Sequence, residues 1–479
     1  MVKRFCISVL IFTAIAWLSS AQPCDHALLF NGTDSYIHCG PGNNLNIEGQ
    51  LTVEAWVKVD QRLEKQFIVG NFDQNTYDGF YLAIQNQALN CAVRDSASGT
   101  KSFNIYQVPA NVWTHVAFTY RTGGRFRGYI NGILRIDVQA STTRIGNNGA
   151  NPLVIGGAPW QPDTFVTNGY IDEVRIYNFE RSLSDIRADM RLTLNGTQNG
   201  LIGYWKMAEG AGSITADGSG NTMNGTLSGA VLPAWQAAEG PYGSGNARLT
   251  APVSSGIVSF PGTALSMDFT QTCLDTFVVT RIDCYPNLLP TCCNNYSNTY
   301  WIVDRYGVLN TVNYDLSFSL PNGAVSASDE LMPSNLQLLQ RGGFSTDIWP
   351  TAVTATSATS SPATINFTNA SLTGQLILAT TGNSVLNDVA NIDGGQQIFT
   401  VKPQGSTGYT LCLFQSFSQK VSITIYDVNG RPITTSEVPS NNQSFFIDSS
   451  NWSSGFYTVV LNVNNKIYTQ KIVFNTTDR

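Results

Sequence analysis

Charge is scarce in this chain of 479 residues: 13% are Asp, Glu, Lys or Arg, against ~25% in an ordinary soluble domain. The 27 basic and 33 acidic residues give a formal net charge of −6. No basic stripe stands out, and this excludes nucleic acid as the partner, because phosphate neutralisation needs clustered Lys and Arg. Histidine occurs three times, leaving little material for imidazole-held metals or a Ser-His-Asp triad. The G-x-S-x-G elbow, the H-E-x-x-H helix and the Walker loop are all missing. So are amphipathic helices of more than three turns, and beyond the N-terminus no apolar run reaches 18 residues.

What is present begins with residues 1–21. Lys3 and Arg4 precede an apolar run from Cys6 to Leu18, and Ser19-Ser20-Ala21 follows. That run is too short for a ~20-residue membrane span and fits a secretory signal peptide cleaved after Ala21. The mature chain is therefore expected outside the cytoplasm, without a transmembrane segment. Apart from Cys6, eight cysteines remain, and an exported chain uses them for disulfides. The cluster Cys273, Cys284, Cys292 and Cys293 has the spacing C-x10-C-x7-C-C, which lacks zinc knuckles. Two bridges are expected inside it, with adjacent Cys292 and Cys293 bonded to different partners, and one more among Cys24, Cys39 and Cys91. Cys412 stands alone.

Nearly everything else alternates at period two between turn signals, the pattern of an all-β chain. Leu51, Val53, Ala55, Val57 and Val59 share one face of a strand. Asn131-Gly132 supplies the positive-φ pair of a tight hairpin turn. The one helix candidate is 182–192, with Ser182 or Ser184 as cap. Alternation continues over 250–386, which reads as a second β-sandwich holding the cysteine cluster, and over 387–479, a further small β unit. Residues 208–249, rich in Gly, Ala and Ser, read as a partly ordered connector.

Five motifs fall in order: Leu29-Phe-Asn-Gly-Thr-Asp34, Leu51-Thr-Val-Glu-Ala-Trp56, Trp113-Thr-His-Val-Ala117, Tyr129-Ile-Asn-Gly132 and Ile171-Asp-Glu-Val-Arg-Ile-Tyr177. Together they resemble the laminin-G-like, concanavalin A-like jelly roll, assigned here to 22–207 with its flanking strand. The turn Tyr426-Asp-x-x-Gly430, the strand Ser454-Gly-x-Tyr457 and the terminal Lys471-Ile-Val473 resemble the C-terminal sorting domain of the type IX secretion system of Bacteroidetes. The fold class expected is all-β and multidomain: a concanavalin A-like jelly roll, a second sandwich, and a small Ig-like sandwich at the end. The second resemblance implies recognition by type IX secretion machinery and delivery to the cell surface or the medium.

Some jelly rolls of this class are glycosidases, which need two carboxylates ~5 Å apart for a retaining mechanism. The laminarinase-like pattern Glu-x-Asp-x-x-Glu is absent. Asp172 and Glu173 are neighbours on a strand and are expected on opposite faces. His115 reads as a hydrogen-bonded structural residue, and His26 and His38 as solvated imidazoles beside disulfides. A structural Ca2+ is a candidate, since it takes oxygens from carboxylates, amides and backbone carbonyls. Asn31, Gly32, Asp34 and Asp172 would hold it if the first and last strands lie side by side. The competing reading makes Asn31, Gly32 and Asp34 turn formers and Asp172 a hairpin cap. The Asp217–Asn221 run departs from an EF-hand loop and reads as a Gly-rich turn.

A sugar site would use an aromatic platform with amides and charged groups for the hydroxyls. Tyr77, Asp78, Arg94, Trp160 and Gln161, placed in loops at a sandwich edge, are the candidates. Trp56, Trp113 and Phe118 read as core. The function expected is non-catalytic: an exported binding protein or adhesin that grips an extracellular polysaccharide, glycoconjugate or other polymer. Its alternatives are a secreted carbohydrate-active hydrolase and an adhesin for protein ligands.

Overall fold

The structure, a computed structural model, describes residues 25–386 and 399–474 apart from 46, 48, 63, 73–77, 96–98, 141–144, 146–151, 196, 251–254, 291, 308–311, 347, 405–407, 414–420, 428–430, 439–443, 451, 453–454 and 464–465. The chain divides into two units, Met1–Asp388 and Val389–Arg479.

In the first unit the described strands are β1 (His26–Asn31), β2 (Tyr36–Pro41), β3 (Gln50–Val59), β4 (Gln66–Gly70), β5 (Gly79–Gln85), β6 (Ala88–Asp95), β7 (Gly99–Gln107), β8 (Thr114–Arg121), β9 (Arg125–Ile130), β10 (Ile133–Gln139), β11 (Pro152–Ile155) and β12 (Asn168–Tyr177). After helix α1 (Leu183–Asp189) come β13 (Leu201–Trp205), β14 (Ile214–Thr215), β15 (Gly225–Ser228) and β16 (Ala234–Ala237). One sheet runs β10-β9-β8-β3-β12-β1-β16 with β13 against β12, and the other β14-β15-β2-β11-β4-β5-β6-β7. The alternating residues of β3, Leu51 to Val59, all enter the core between the sheets. Asn131 and Gly132 take φ of 52° and 69°, both positive, as the tight hairpin requires. Ser182 caps α1 by accepting from the Asp185 amide, and Asp185 returns a bond to the Ser182 backbone.

The expected connector is instead part of the jelly roll. β14 and β15 extend one sheet beyond β2, while β16 covers the edge of β1 in the other. Pairing removes the exposed edges that β1 and β2 would otherwise present. Gly245–Thr250 then opens the second sandwich by pairing with Thr276–Ile282.

That sandwich stacks a sheet containing Thr276–Ile282, Tyr300–Tyr306, Leu336–Arg341 and Gly374–Thr380 on one containing Leu265–Phe269, Tyr314–Leu320 and Ala363–Phe367. Their inner faces share a core that includes Phe269, Phe277, Trp301, Phe318 and Leu376. It is joined to the jelly roll through the end of α1. Arg191 is buried and grips Asp304 with two nitrogens, at 2.5 and 2.8 Å, and bonds the carbonyls of Pro241 and Gly343. Met190 packs on Val278 and Tyr306, and the Arg187 guanidinium lies 3.9 Å from the Tyr306 ring centre.

The cysteines depart from expectation. Cys39 and Cys91 are free thiols in the jelly-roll core, and Cys273, Cys292 and Cys293 are also free. Cys284 alone in the cluster is disulfide-bonded, so the two bridges expected within the cluster are not formed. Cys39 and Cys91 point between the sheets among Ile, Val and Leu, where a thiol packs as a small hydrophobe.

The second unit places Phe399–Gln404, Gly408–Leu413 and Ser444–Asp448 in one sheet and Pro432–Val438, Val421–Tyr426, Gly455–Val463 and Lys466–Phe474 in another. Leu411, Ile423, Ile425, Val459 and Leu461 form its core, with Trp452 stacked near Tyr409. Among the described residues no helix is long and apolar enough to cross a membrane.

Candidate functional site

Three stretches far apart in sequence meet beside β4: the β1–β2 turn, residues 62–66 and the hairpin 156–166. Each is held by its own local chemistry. Asn31 Oδ1 accepts from the amides of Thr33, Asp34 and Ser35 at 2.9–3.1 Å, a side chain taking the place of a backbone turn acceptor. Gly32 has φ of 72°, and a Cβ there would lie 2.5 Å from the Arg62 guanidinium. Arg62 in return donates to the Gly32 carbonyl at 2.9 Å. The hairpin closes through the Ala158 amide on Thr164 O and the Thr164 amide on Gln161 O. It starts at Gly156, with φ of 85°, where a Cβ would sit 2.2 Å from the Phe30 ring. It ends on Phe165, held at φ of 52°, a region non-glycine residues seldom occupy.

These stretches enclose a groove of about 530 Å³. Phe67 and Tyr81, on the outer face of the β4–β5 pair, belong to an apolar cluster with Phe72 and the small residues Ala83 and Ala92. Trp160 stands edge-on to Phe67 and Phe72, at 5.3 and 5.6 Å between ring centres. Its other side lines the groove together with Phe165, which is 47% exposed. Polar groups ring this wall: Arg62, Glu64, Lys65, Gln161 and Thr164. Lys65 is set in place by donating to the Tyr81 hydroxyl at 3.0 Å. An aromatic wall with amide, hydroxyl and charged groups of both signs can cover the apolar face of a pyranose and bond its hydroxyls.

Of the expected ligand residues, Trp160 and Gln161 line this groove. Tyr77 lies outside the described residues. Asp78 precedes Gly79, whose register partner is Arg94, and Asp78 is not among the groove's lining residues; the Arg94 side chain lies outside the described residues. Sequence reasoning missed Arg62, Lys65 and Phe165. The run Arg62 to Phe67 carried a signal, charge passing directly into a strand, but nothing local ties it to residues a hundred positions on.

The calcium set is not assembled. Asn31 pairs with Asn168, and Leu28 with Ile171. Asp172 therefore lies about four residues along the strand from Asn31, more than ~10 Å at the usual rise. Asn31 Oδ1 is already occupied by three amides. Asp34 Oδ1 accepts from Asn31 Nδ2 at 2.6 Å and Oδ2 from the Ala230 amide at 2.9 Å. The Asn31 bond chiefly holds the Asp34 carboxyl below its usual range. These donors and acceptors fit a pinned turn and do not fit a cation. Among the described residues no cluster of three His, Cys, Asp or Glu could hold a metal.

Asp172 and Glu173 require a second correction. A register shift interrupts the pairing of β12 with β3 between Asp172 and Arg175, and Glu173 has φ of 50°. Ile171 and Val174 both enter the core, so this bulge turns both carboxylates to the outer side. Both are buried there. Tyr242 donates to Asp172 at 2.6 Å, and Tyr204 and Arg175 each donate to Glu173 at 2.7 Å. Burial pushes the Asp172 carboxyl well above its usual value, reinforced by Glu173 and Asp25. Nearby, Glu54 meets Arg181 at 2.7 Å and His115 at 3.4 Å. Burial opposes its ionisation, yet the Arg181 guanidinium brings it down to about 2. Burial lowers His115 and favours the neutral imidazole. This network lies beneath the α1 region and Tyr242, where it anchors those segments to the sheet.

The fold defines an all-β protein of stacked sandwiches whose first domain is a jelly roll. Residues 31–187 match the family model of the concanavalin A-like lectin/glucanases superfamily, and residues 410–475 match that of the secretion system C-terminal sorting domain. The chain thus carries a laminin-G-like, concanavalin A-like domain and a type IX sorting domain. No curated protein matches it. Among solved structures it is similar to a protein put forward as carbohydrate-binding from Bacteroides ovatus, with 21% identity over 46% of this chain and 62% of that one and a TM-score of 0.37. It is also similar to a heptameric pentraxin from Limulus polyphemus, with 16% identity over 34% and 81% and a TM-score of 0.28. A third is a sialidase carbohydrate-binding module from Ruminococcus gnavus bound to sialyllactose, with 14% identity over 35% and 98% and a TM-score of 0.29. The chain spans less than two thirds of the Bacteroides ovatus protein.

Proposed function

We propose that this protein is a non-catalytic glycan-binding protein, sent to the cell surface or medium by its sorting domain, and that the Trp160 groove is its binding site. The observation that carries the reading is the pairing of Trp160 and Phe165 as an open aromatic wall with Arg62, Lys65 and Gln161 at its rim. The buried carboxylates do not favour hydrolysis: Asp172 and Glu173 are each about 1% exposed and held by Tyr242, Tyr204 and Arg175, so a sugar cannot reach them. A glycan array probed with the full secreted chain, run beside a reducing-sugar release assay on the same glycans, tests this. Binding without release of reducing ends is expected. Release of reducing ends, or no bound glycan on a polysaccharide-rich array, overturns it.

A further inference from the structure

Cys292 and Cys293 were expected to bond elsewhere, but the structure brings their sulfurs to 3.0 Å from each other. That is inside ordinary van der Waals contact for two sulfur atoms. The arrangement is held from both sides. Tyr296 donates its hydroxyl to the Cys293 carbonyl at 2.9 Å and accepts from the Cys293 amide at 3.2 Å. Asn294 then fastens the segment to the edge of the sheet through Thr380 O at 2.8 Å and Thr381 O at 2.6 Å. Cys292 is exposed and Cys293 half-buried beside Gln337, while Cys39, Cys91 and Cys273 are buried. The remaining cluster member, Cys284, is already disulfide-bonded. The pair is therefore left to itself at the surface of a chain that leaves the cytoplasm.

We infer that Cys292 and Cys293 are a modification site that closes into a disulfide between neighbouring residues during export. The reaction is thiol–disulfide exchange with an oxidised dithiol oxidoreductase. The exposed Cys292 thiolate attacks one sulfur of the oxidant's disulfide and displaces the other as thiolate. Cys293, losing its proton, then attacks Cys292 Sγ and expels the oxidant's first sulfur. Two protons and two electrons leave the pair, and the oxidant departs as a dithiol. Burial and the adjacent thiol push Cys293 up to about 12, so the first attack falls to the exposed Cys292. Closure removes the one exposed thiol among the described free cysteines, and with it the means for two copies to cross-link.

Differential alkylation of full chain recovered from the medium tests this. Unreduced, denatured protein takes a first alkylating label, is then reduced and takes a second, and peptide fragmentation assigns the labels. Cys292 and Cys293 are both expected to carry the second label, and in Cys292→Ala, Cys293 is expected to switch to the first. Cys293→Ala is expected to form reductant-sensitive dimers through Cys292 on a non-reducing gel while the parent chain stays monomeric. First label on both cysteines of the parent chain overturns the inference. So does second label persisting on Cys293 in Cys292→Ala, which would mean a different partner.

Discussion

Trp160 is half-buried because it packs on Phe67 and Phe72 while also lining the groove. Its edges rest on Phe67 and Phe72, so the ring is pre-positioned and loses little freedom on binding. Arg191 is the opposite case, a charge fully enclosed between two sandwiches and balanced by Asp304. Arg191→Ala would leave Asp304 without its buried counter-charge and is expected to lower stability by about 3–5 kcal/mol, read from urea unfolding. Asp25 makes a pH-dependent contribution. Burial pushes its carboxyl up to about 6, with Glu173 and Glu209 adding and Lys206 and the His26 amide opposing. A folded-state value above the unfolded one means stability that is present at low pH and is lost as pH rises to about 6. Asp25→Asn is expected to flatten that fall in a pH series of thermal melts. An unchanged slope would show that Asp25 does not titrate with folding.

At the level of elements, period-two alternation made most strands legible, since β3 must send Leu51, Val53, Ala55, Val57 and Val59 to one side once that side is buried. The Ser182 cap and the Asn131-Gly132 turn were legible for the same reason: each depends on chemistry within four residues. Two features were not. The bulge at Glu173 is a register event between β12 and β3, and β3 lies more than a hundred residues earlier. The short strands β14, β15 and β16 carry little hydrophobic pattern and exist because β2 and β1 offer them edges. The groove was half legible: Trp160 and Gln161 announce themselves, whereas Arg62 and Lys65 reach them only through the meeting of three loops. The hairpin that presents Trp160 hinges on Gly156. Gly156→Ala would combine a strained φ with a methyl 2.2 Å from Phe30. It is expected to destabilise by ~1–3 kcal/mol and to weaken glycan binding as well. A variant melting like the parent would show that the hairpin tolerates the change.

For the whole molecule, the jelly roll and second sandwich share buried contacts at Arg191, Met190 and Tyr306. Residues 25–386 are therefore expected to unfold in one calorimetric transition, with calorimetric and van't Hoff enthalpies equal. Two resolved transitions within that span would show the sandwiches to be independent. The sorting domain forms a separate unit with its own core and supplies the address, while the proposed glycan-binding role falls to the groove of the jelly roll. The most direct test of that role is isothermal titration of the strongest array ligand into the parent chain, Trp160→Ala and Trp160→Phe, with melting temperatures taken in parallel. The account expects Trp160→Ala to lose at least about tenfold in affinity, ~1.4 kcal/mol, at a melting temperature close to the parent's, with Trp160→Phe recovering part of the loss. Undiminished affinity in a folded Trp160→Ala protein would contradict it.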